Sequence, residues 1–195
     1  MAQFENTLYR FTAKKSSYKG IQQVKETINV NDISKNEVLL KIKAVALNYR
    51  DFAITTGLYP IDIKNNIIPR SDAAAQIVQV GSGVSDLKTH KTTLGAASDG
   101  VLSQYKFVPS YAVNKLPKDS HLIDEEDACL VCTGVTSWNA LCGAVDKFIA
   151  GQTVLTLGTG VVSITSLILA KATGVVTITT SSCDEKFKYV KEFCD

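Results

Sequence analysis

Partial alternation of apolar and charged positions marks the first strong element of the chain. Glu37-Val-Leu-Leu-Lys-Ile-Lys-Ala-Val-Ala-Leu47 reads as a half-buried strand. Gln76-Ile-Val-Gln-Val80 is a second strand and runs into Gly81-Ser-Gly83, a turn. Ser103-Gln-Tyr-Lys-Phe-Val108 is a third, stopped by Pro109, and Tyr111 to Pro117 reads as a further short strand. Short strands separated by turns predict a small barrel or sandwich for the first half.

The pattern changes after about residue 120. Asp124-Glu-Glu-Asp127 leads into Ala-Cys-Leu-Val-Cys, and acidic residues suit the positive end of a helix dipole. Thr133 to Leu141 reads as a turn followed by another helix. Gly151-Gln-Thr153 is a tight turn into the apolar strand Val154-Leu-Thr-Leu157. Gly158-Thr-Gly160 follows directly, then an apolar helix over 162–173, Gly174 as its C′ residue, and the β-branched strand Val175 to Thr179. A last helix is expected over Glu185 to Cys194, with Ser182-Cys-Asp-Glu185 as its capping box.

Three readings compete for the stretch from Thr156 to Ser182: a dinucleotide grip, a membrane span, or a plain buried βαβ unit. Thr153 to Ala170 is an uncharged run of 18 residues, at the lower limit of the ~17–25 that a span needs. Its two interrupting glycines are explained by strand–turn–helix grammar and not by a span. In the dinucleotide reading Gly158 allows the tight turn, and Gly160 lets backbone approach a pyrophosphate at the helix N-terminus. The G-x-G-x-x-G/A pattern departs at its last position, where Ser163 stands.

An NAD site places Asp or Glu about 20 residues on, at the end of the second strand. Positions 178 to 182 read Ile-Thr-Thr-Ser-Ser, with no carboxylate to hold a ribose or repel a 2′-phosphate. Hydroxyls at Ser181 and Ser182, with Lys186 beyond them, favour NADP over NAD.

Composition narrows the picture in three ways. Net charge is +2, with 45% hydrophobic and 21% charged residues, an ordinary globular balance with no pull toward nucleic acid or acidic membranes. The N-terminus is polar and charged, without the apolar core of a secretory signal. Five irregularly spaced cysteines argue against a disulfide framework and for a reducing, cytoplasmic setting. Cys129-Leu-Val-Cys132 lacks a second ligand pair and reads as plain buried thiols. Neither His90 nor His121 sits near Cys, Asp or Glu at zinc-ligand spacing, so no zinc site is expected.

Four segments, in order, resemble a known family, the zinc-independent medium-chain dehydrogenases/reductases of the quinone oxidoreductase and enoyl reductase type. They are Val45-Ala-Leu-Asn-Tyr-Arg-Asp51, the run from Ile68-Pro-Arg-Ser-Asp to Val84, Cys132-Thr-Gly-Val-Thr-Ser-Trp-Asn-Ala-Leu141, and Leu157-Gly-Thr-Gly-Val-Val-Ser163 with Thr180 to Lys186. The resemblance implies a mixed α/β chain: a GroES-like β-barrel domain over 1–125, then part of a Rossmann domain over 126–195. It implies hydride transfer from NADPH to a quinone or enone-type small molecule. Zinc-dependent cousins carry Gly-His-Glu where this chain has Arg70-Ser71-Asp72, which implies an enzyme without zinc. Asn48 and Tyr49 would line the cleft, and Asp51 would hold its floor. Thr136 would touch the nicotinamide side, Gly158, Gly160, Val161 and Val162 would cradle the pyrophosphate, and Ser181, Ser182 and Lys186 would take the 2′-phosphate. Tyr105 reads as a barrel residue rather than a proton donor. Dimers are common in such families, so a homodimer is one expected assembly.

The chain departs from that pattern at three places. Val161 stands where the family has another glycine. The segment over 86–95 is too short for the family's strand and loop. The chain ends after two strands of a domain that needs about six, as a fragment, a shortened product or a decayed relative would. Two functions therefore stay open: the NADPH-dependent oxidoreductase, and an inactive nucleotide-binding or structural remnant of one.

Overall fold

A computed structural model describes residues 3–12, 18–85, 96, 98–143, 149 and 151–195. The chain divides into two compact units, Met1–Cys129 and Leu130–Asp195. The segment over 86–95, where the sequence predicts a lost strand and loop, lies outside the described residues.

The first unit is built from antiparallel strands. β1 (Gln3–Phe11) and β2 (Ile21–Asn29) form a hairpin in register from Gln3↔Asn29 to Phe11↔Ile21. β3 (Glu37–Val45) is the centre of a second sheet, between β4 (Ala73–Val80) and β5 (Tyr105–Pro109). The β3–β4 register shifts between Leu39 and Leu40 and again between Ile42 and Ala44, and such irregularities bend a strand and add twist. Val38, Leu40 and Val108 are buried together, with Ile42, Ala75, Val84 and Val113 packed around them. Ala46, Ala74 and Ala128 make a second, small-residue cluster.

Buried polar groups join the hairpin to the rest of the unit. Asn6, 1% exposed, accepts from the Tyr105 backbone N–H at 2.9 Å and donates to Glu26 at 2.9 Å. The Tyr105 ring stacks on Phe4 with centroids 4.7 Å apart, as the barrel-residue reading expects.

Between β3 and β4 the chain makes α1 (Tyr49–Thr56), closed by Gly57 in the left-handed region at φ 74°, where glycine is the least costly residue. The strand expected over Tyr111–Pro117 is not one. Ser110–Ala112 forms a single 3₁₀ turn, because the chain has left the ladder at Pro109 and the Ser110 N–H bonds instead to the Asn36 carbonyl at 2.9 Å.

The turn expected near Thr133 is also absent. One helix, α2 (Asp124–Cys142), runs straight through Gly134. A glycine inside a helix costs about 1 kcal/mol against alanine, which the remaining residues outweigh. Cys129 and Cys132 are not the buried pair expected. They sit at i and i+3 on one helix face, where Cys129 is exposed and Cys132 half-buried, and none of the five cysteines is in a disulfide.

The second unit holds β6 (Thr153–Thr156), α3 (Val161–Ala172), β7 (Val176–Thr179) and α4 (Asp184–Val190). β6 and β7 pair in parallel from Thr153↔Val176 to Thr156↔Thr179, the arrangement a crossover through α3 produces. α3 buries Ser166, Leu167 and Ala170. Gly174 has φ 76°, the left-handed C′ position the sequence predicts. Among the described residues no helix is long and apolar enough to cross a membrane.

The last residue, Asp195, clasps the outer edge of β7. Its N–H donates to the Thr177 carbonyl at 3.0 Å, and its Oδ2 accepts from the Thr177 N–H at 2.7 Å and the Thr177 hydroxyl at 3.0 Å. The Thr177 backbone N–H first, and its hydroxyl second, hold the Asp195 carboxyl below the usual carboxylate range. A depressed folded pKa contributes stability above the unfolded value that is lost as pH falls through the folded one. Asp195→Ala is therefore expected to lower the melting temperature at pH 7, with the gap to wild type closing once both are acidified below the carboxylate range. A gap that persists in acid would assign the effect to the backbone and not to the carboxylate.

Candidate functional site

In the first unit the predicted residues meet at the N-terminus of α1. Asn48 is the N-cap, with extended φ −120° and ψ 156°. Asp51, 3% exposed, turns its carboxylate back to accept from the Asn48 backbone N–H at 2.9 Å. This is the return arm of a capping box, so the spacing Asn48-x-x-Asp51 carries a local reason. Tyr49 points the other way and is 77% exposed, its ring centroid 5.9 Å from that of Phe52.

Two further residues belong to this constellation and were not assigned roles from the sequence. Arg70 Nη1 lies 3.0 Å from Asp51 Oδ2, with side chains 19% and 3% exposed. Asp72, 5% exposed, accepts from Asn48 Nδ2 at 2.6 Å. Arg70 has φ 75°, an uncommon conformation for a residue with a Cβ. Asp51 Oδ1, Arg70 Nε and Ser71 Oγ are buried without a hydrogen-bond partner. Among the described residues, no three His, Cys, Asp or Glu side chains gather as a metal site.

In the second unit the glycine turn has the predicted geometry. Gly158 has φ 88°, and its N–H donates to Thr180 Oγ1 at 3.1 Å, tying the turn to the end of β7. Gly160 is the N-cap of α3. A Cβ placed on Gly158 or Gly160 would meet nothing within 4 Å, so the space before α3 is open. That opening and the free N–H groups of the first helical turn are what a pyrophosphate requires. Ser163, at the imperfect end of the motif, donates its hydroxyl to the Leu157 carbonyl at 3.3 Å. Val161 and Val162 are 60% and 41% exposed on the first turn of α3.

Thr136 lies inside α2 and is exposed, so it caps nothing. Ser137 beside it is fully buried and donates to the Val162 carbonyl at 3.0 Å, which fixes this part of α2 against the start of α3.

Beyond β7, Ser181 donates to the Cys183 carbonyl at 2.9 Å and accepts from the Cys183 N–H at 3.2 Å. Its proton is spent within its own turn. Ser182 and Lys186 are exposed. The N-cap of α4 is Cys183, one residue after the serine expected to cap it. The Lys186 and Glu185 backbone N–H groups pull the Cys183 thiol below its ordinary value.

Comparison with known proteins agrees with this architecture. Residues 34–118 match the alcohol dehydrogenase GroES-like domain family. The zinc-type alcohol dehydrogenase-like protein of Schizosaccharomyces pombe is 38% identical over 183 residues, covering 82% of this chain and 52% of that protein. The 2-methylene-furan-3-one reductase of Solanum lycopersicum is 32% identical over 162 residues, covering 78% of this chain and 40% of the reductase. A solved Sinorhizobium meliloti chain assigned as an alcohol dehydrogenase superposes with TM-score 0.80 at 27% identity, over 98% of this chain and 61% of its own.

The chain joins a segment matching the GroES-like domain family to a Rossmann-like parallel βαβ element. The chain belongs to the medium-chain dehydrogenase/reductase family, and it spans about half the length of the fission yeast relative.

Proposed function

We propose that this chain carries the acceptor floor and the first half of the nucleotide grip of a zinc-independent, NADPH-dependent reductase of quinones or enones. The observation that carries the reading is the open glycine turn at Gly158 and Gly160, set between two parallel strands and the N-terminus of α3. The names of relatives support the acceptor class: one is a 2-methylene-furan-3-one reductase, and another, from Arabidopsis thaliana, a chloroplast envelope quinone oxidoreductase homolog. Arg70-Ser71-Asp72 in place of Gly-His-Glu supports chemistry without zinc. The odd number and irregular spacing of the five cysteines support a reducing, cytoplasmic setting.

The cofactor supplies the hydride, and the chain binds and orients. In this reading the backbone N–H groups of Val161 and Val162 would hold the pyrophosphate, Thr136 would border the nicotinamide, and Ser182 and Lys186 would take the 2′-phosphate. Ser181 shapes that turn rather than donating to the phosphate. At the floor, Asn48 offers an amide N–H to the acceptor carbonyl, stabilising negative charge as it develops on oxygen. The Tyr49 ring gives an apolar wall. Asp51 holds the floor without touching the acceptor, its Oδ2 engaged by Arg70 and by the Asn48 N–H.

Trp138, the single tryptophan and 60% exposed, reports the test. Titration with NADPH is expected to quench it saturably, and NADH to bind more weakly. Lys186→Ala should weaken NADPH at least ~10-fold, as loss of a charge-assisted contact does, and leave NADH nearly unchanged. Equal weakening of the two would refute the 2′-phosphate role. A second reading, nucleotide binding without turnover, is favoured by the exposed Val161 side chain at the phosphate-facing end of α3. Saturable binding without quinone-dependent oxidation of NADPH would establish it instead.

A further inference from the structure

An asparagine amide has a donating end and an accepting end, and its two flips present opposite chemistry to a ligand. At Asn48 the flip is decided by charge. Nδ2 donates to Asp72 Oδ2 at 2.6 Å, a contact in which the acceptor is a carboxylate. The reversed amide would set its oxygen against a carboxylate at that same distance.

Asp72 is in a position to impose this. It is 5% exposed and immediately precedes β4, and its carbonyl accepts from the Ala46 N–H at 3.0 Å. Val45 pairs with Ala73 one residue away, so the segments that carry the amide and the carboxylate, just beyond the end of β3 and just before β4, leave the ladder side by side. The Asn48 backbone is tied separately, by Asp51. One carboxylate thus fixes the main chain of Asn48, and the other fixes its side chain.

We propose that Asp72 is a positioning residue: it fixes the flip of the Asn48 amide with Nδ2 toward its carboxylate, so that one Nδ2 proton is committed to Asp72 and the second is held at a fixed place for a ligand. With the proposed reductase function, on which this part rests, the site favours an acceptor that presents an oxygen lone pair to Asn48, as a quinone or enone carbonyl does, and disfavours an ammonium group, which cannot accept. The lock itself is a property of this chain whether or not it turns over.

The test reads the amide directly. In ¹⁵N-labelled protein, the Asn48 side-chain resonances are identified by their loss in Asn48→Ser. One of the two Nδ2 protons is expected well downfield of the other and at least 10-fold slower to exchange than those of exposed asparagines. In Asp72→Leu the separation should collapse and exchange should rise by that factor. Unchanged Asn48 resonances in a folded Asp72→Leu protein would overturn the proposal. Should that variant fail to fold, Asp72→Asn removes the charge at constant shape. The downfield proton must then move upfield, and no movement would overturn the lock. Turnover is a separate arm. Asp72→Asn should lower kcat with a neutral quinone about 10-fold and leave the NADPH dissociation constant and melting temperature near wild type, a pattern that lost stability alone does not give. Full kcat in a protein whose amide has come loose would overturn the positioning role. A wild-type chain with the resonance pattern but no turnover would sink the reductase reading and uphold the lock.

Discussion

Arg70→Ala is expected to destabilise the GroES-like unit by about 3 kcal/mol, the lower end of what breaking a buried ion pair costs. The guanidinium lies 3.0 Å from the Asp51 carboxylate, and neither side chain is more than 19% exposed. Removing the cation leaves Asp51 buried, with one oxygen already without a partner. The same carboxylate holds the Asn48 N–H, so the start of α1 should loosen as well. A second substitution separates charge from backbone. Arg70 sits at φ 75°, which costs a residue with a Cβ roughly 1–2 kcal/mol. Alanine keeps that strain and loses the ion pair, whereas glycine loses both. Arg70→Gly should therefore be more stable than Arg70→Ala by about 1 kcal/mol. Urea denaturation of both variants checks this. Equal midpoints would remove the strain argument, and two wild-type midpoints would remove the ion pair.

How much of this was legible in the sequence varied with the cause of each element. β3 and β4 were readable because their apolar positions follow the pleat and Gly81-Ser-Gly83 marks the end of β4. β2 was hidden because its apolar residues, Ile21, Val24 and Ile28, fall at intervals of three and four, the period of a helix. β1 was hidden because Asn6, fully buried against Tyr105 and Glu26, breaks its alternation with a polar residue. α1 carries β-branched residues and little periodicity, and only the Asn48-x-x-Asp51 spacing announces its start. Gly134 suggested a break that the surrounding residues of α2 outvote. In the second unit apolar and β-branched runs marked the strands and glycines marked the turns, and Gly151, Gly158 and Gly174 all take positive φ.

The candidate site divides along the same line. Resemblance pointed to Asn48, Asp51 and the glycine turn. It did not supply the partners that give Asn48 its geometry, because pairing Asn48 with Asp72 spans 24 residues and depends on the register of β3 with β4. Propensity and periodicity are local quantities and carry no register across an intervening helix. Likewise, the hydroxyl of Ser181 is suitable for a phosphate by type, yet its bond to the Cys183 carbonyl is fixed by a turn that the residue names do not encode.

Gly100→Ala should match Arg70→Ala in size by a different route. Gly100 lies against the strap formed by Ile68, Pro69 and Arg70. Its N–H donates to the Ile68 carbonyl at 2.6 Å, and Val101 N–H donates to the Arg70 carbonyl at 3.0 Å. A Cβ at position 100 would run into the carbonyl oxygens of Arg70, Pro69 and Ile68, the last two at 2.5 and 2.7 Å. All three are backbone atoms, so relief requires the strap to move rather than a side chain to turn. The strap has little freedom, since Asp99 next to Gly100 accepts from the Ile68 N–H at 3.1 Å and pairs with Lys64 at 3.1 Å. Burial would raise the Asp99 carboxyl, but these two contacts outweigh it and hold it below the usual range. Overpacking of this kind costs about 1–3 kcal/mol and sometimes more, and the rigid backbone puts Gly100→Ala near 3. Displacing the strap also carries Arg70 away from Asp51. The two substitutions therefore break one network, and the double variant should lose about 1 kcal/mol or more less than the sum of the singles. Full additivity in urea denaturation would mean that Gly100 supports the strap without supporting the ion pair, and the floor beneath Asn48 would then be two independent contacts rather than one.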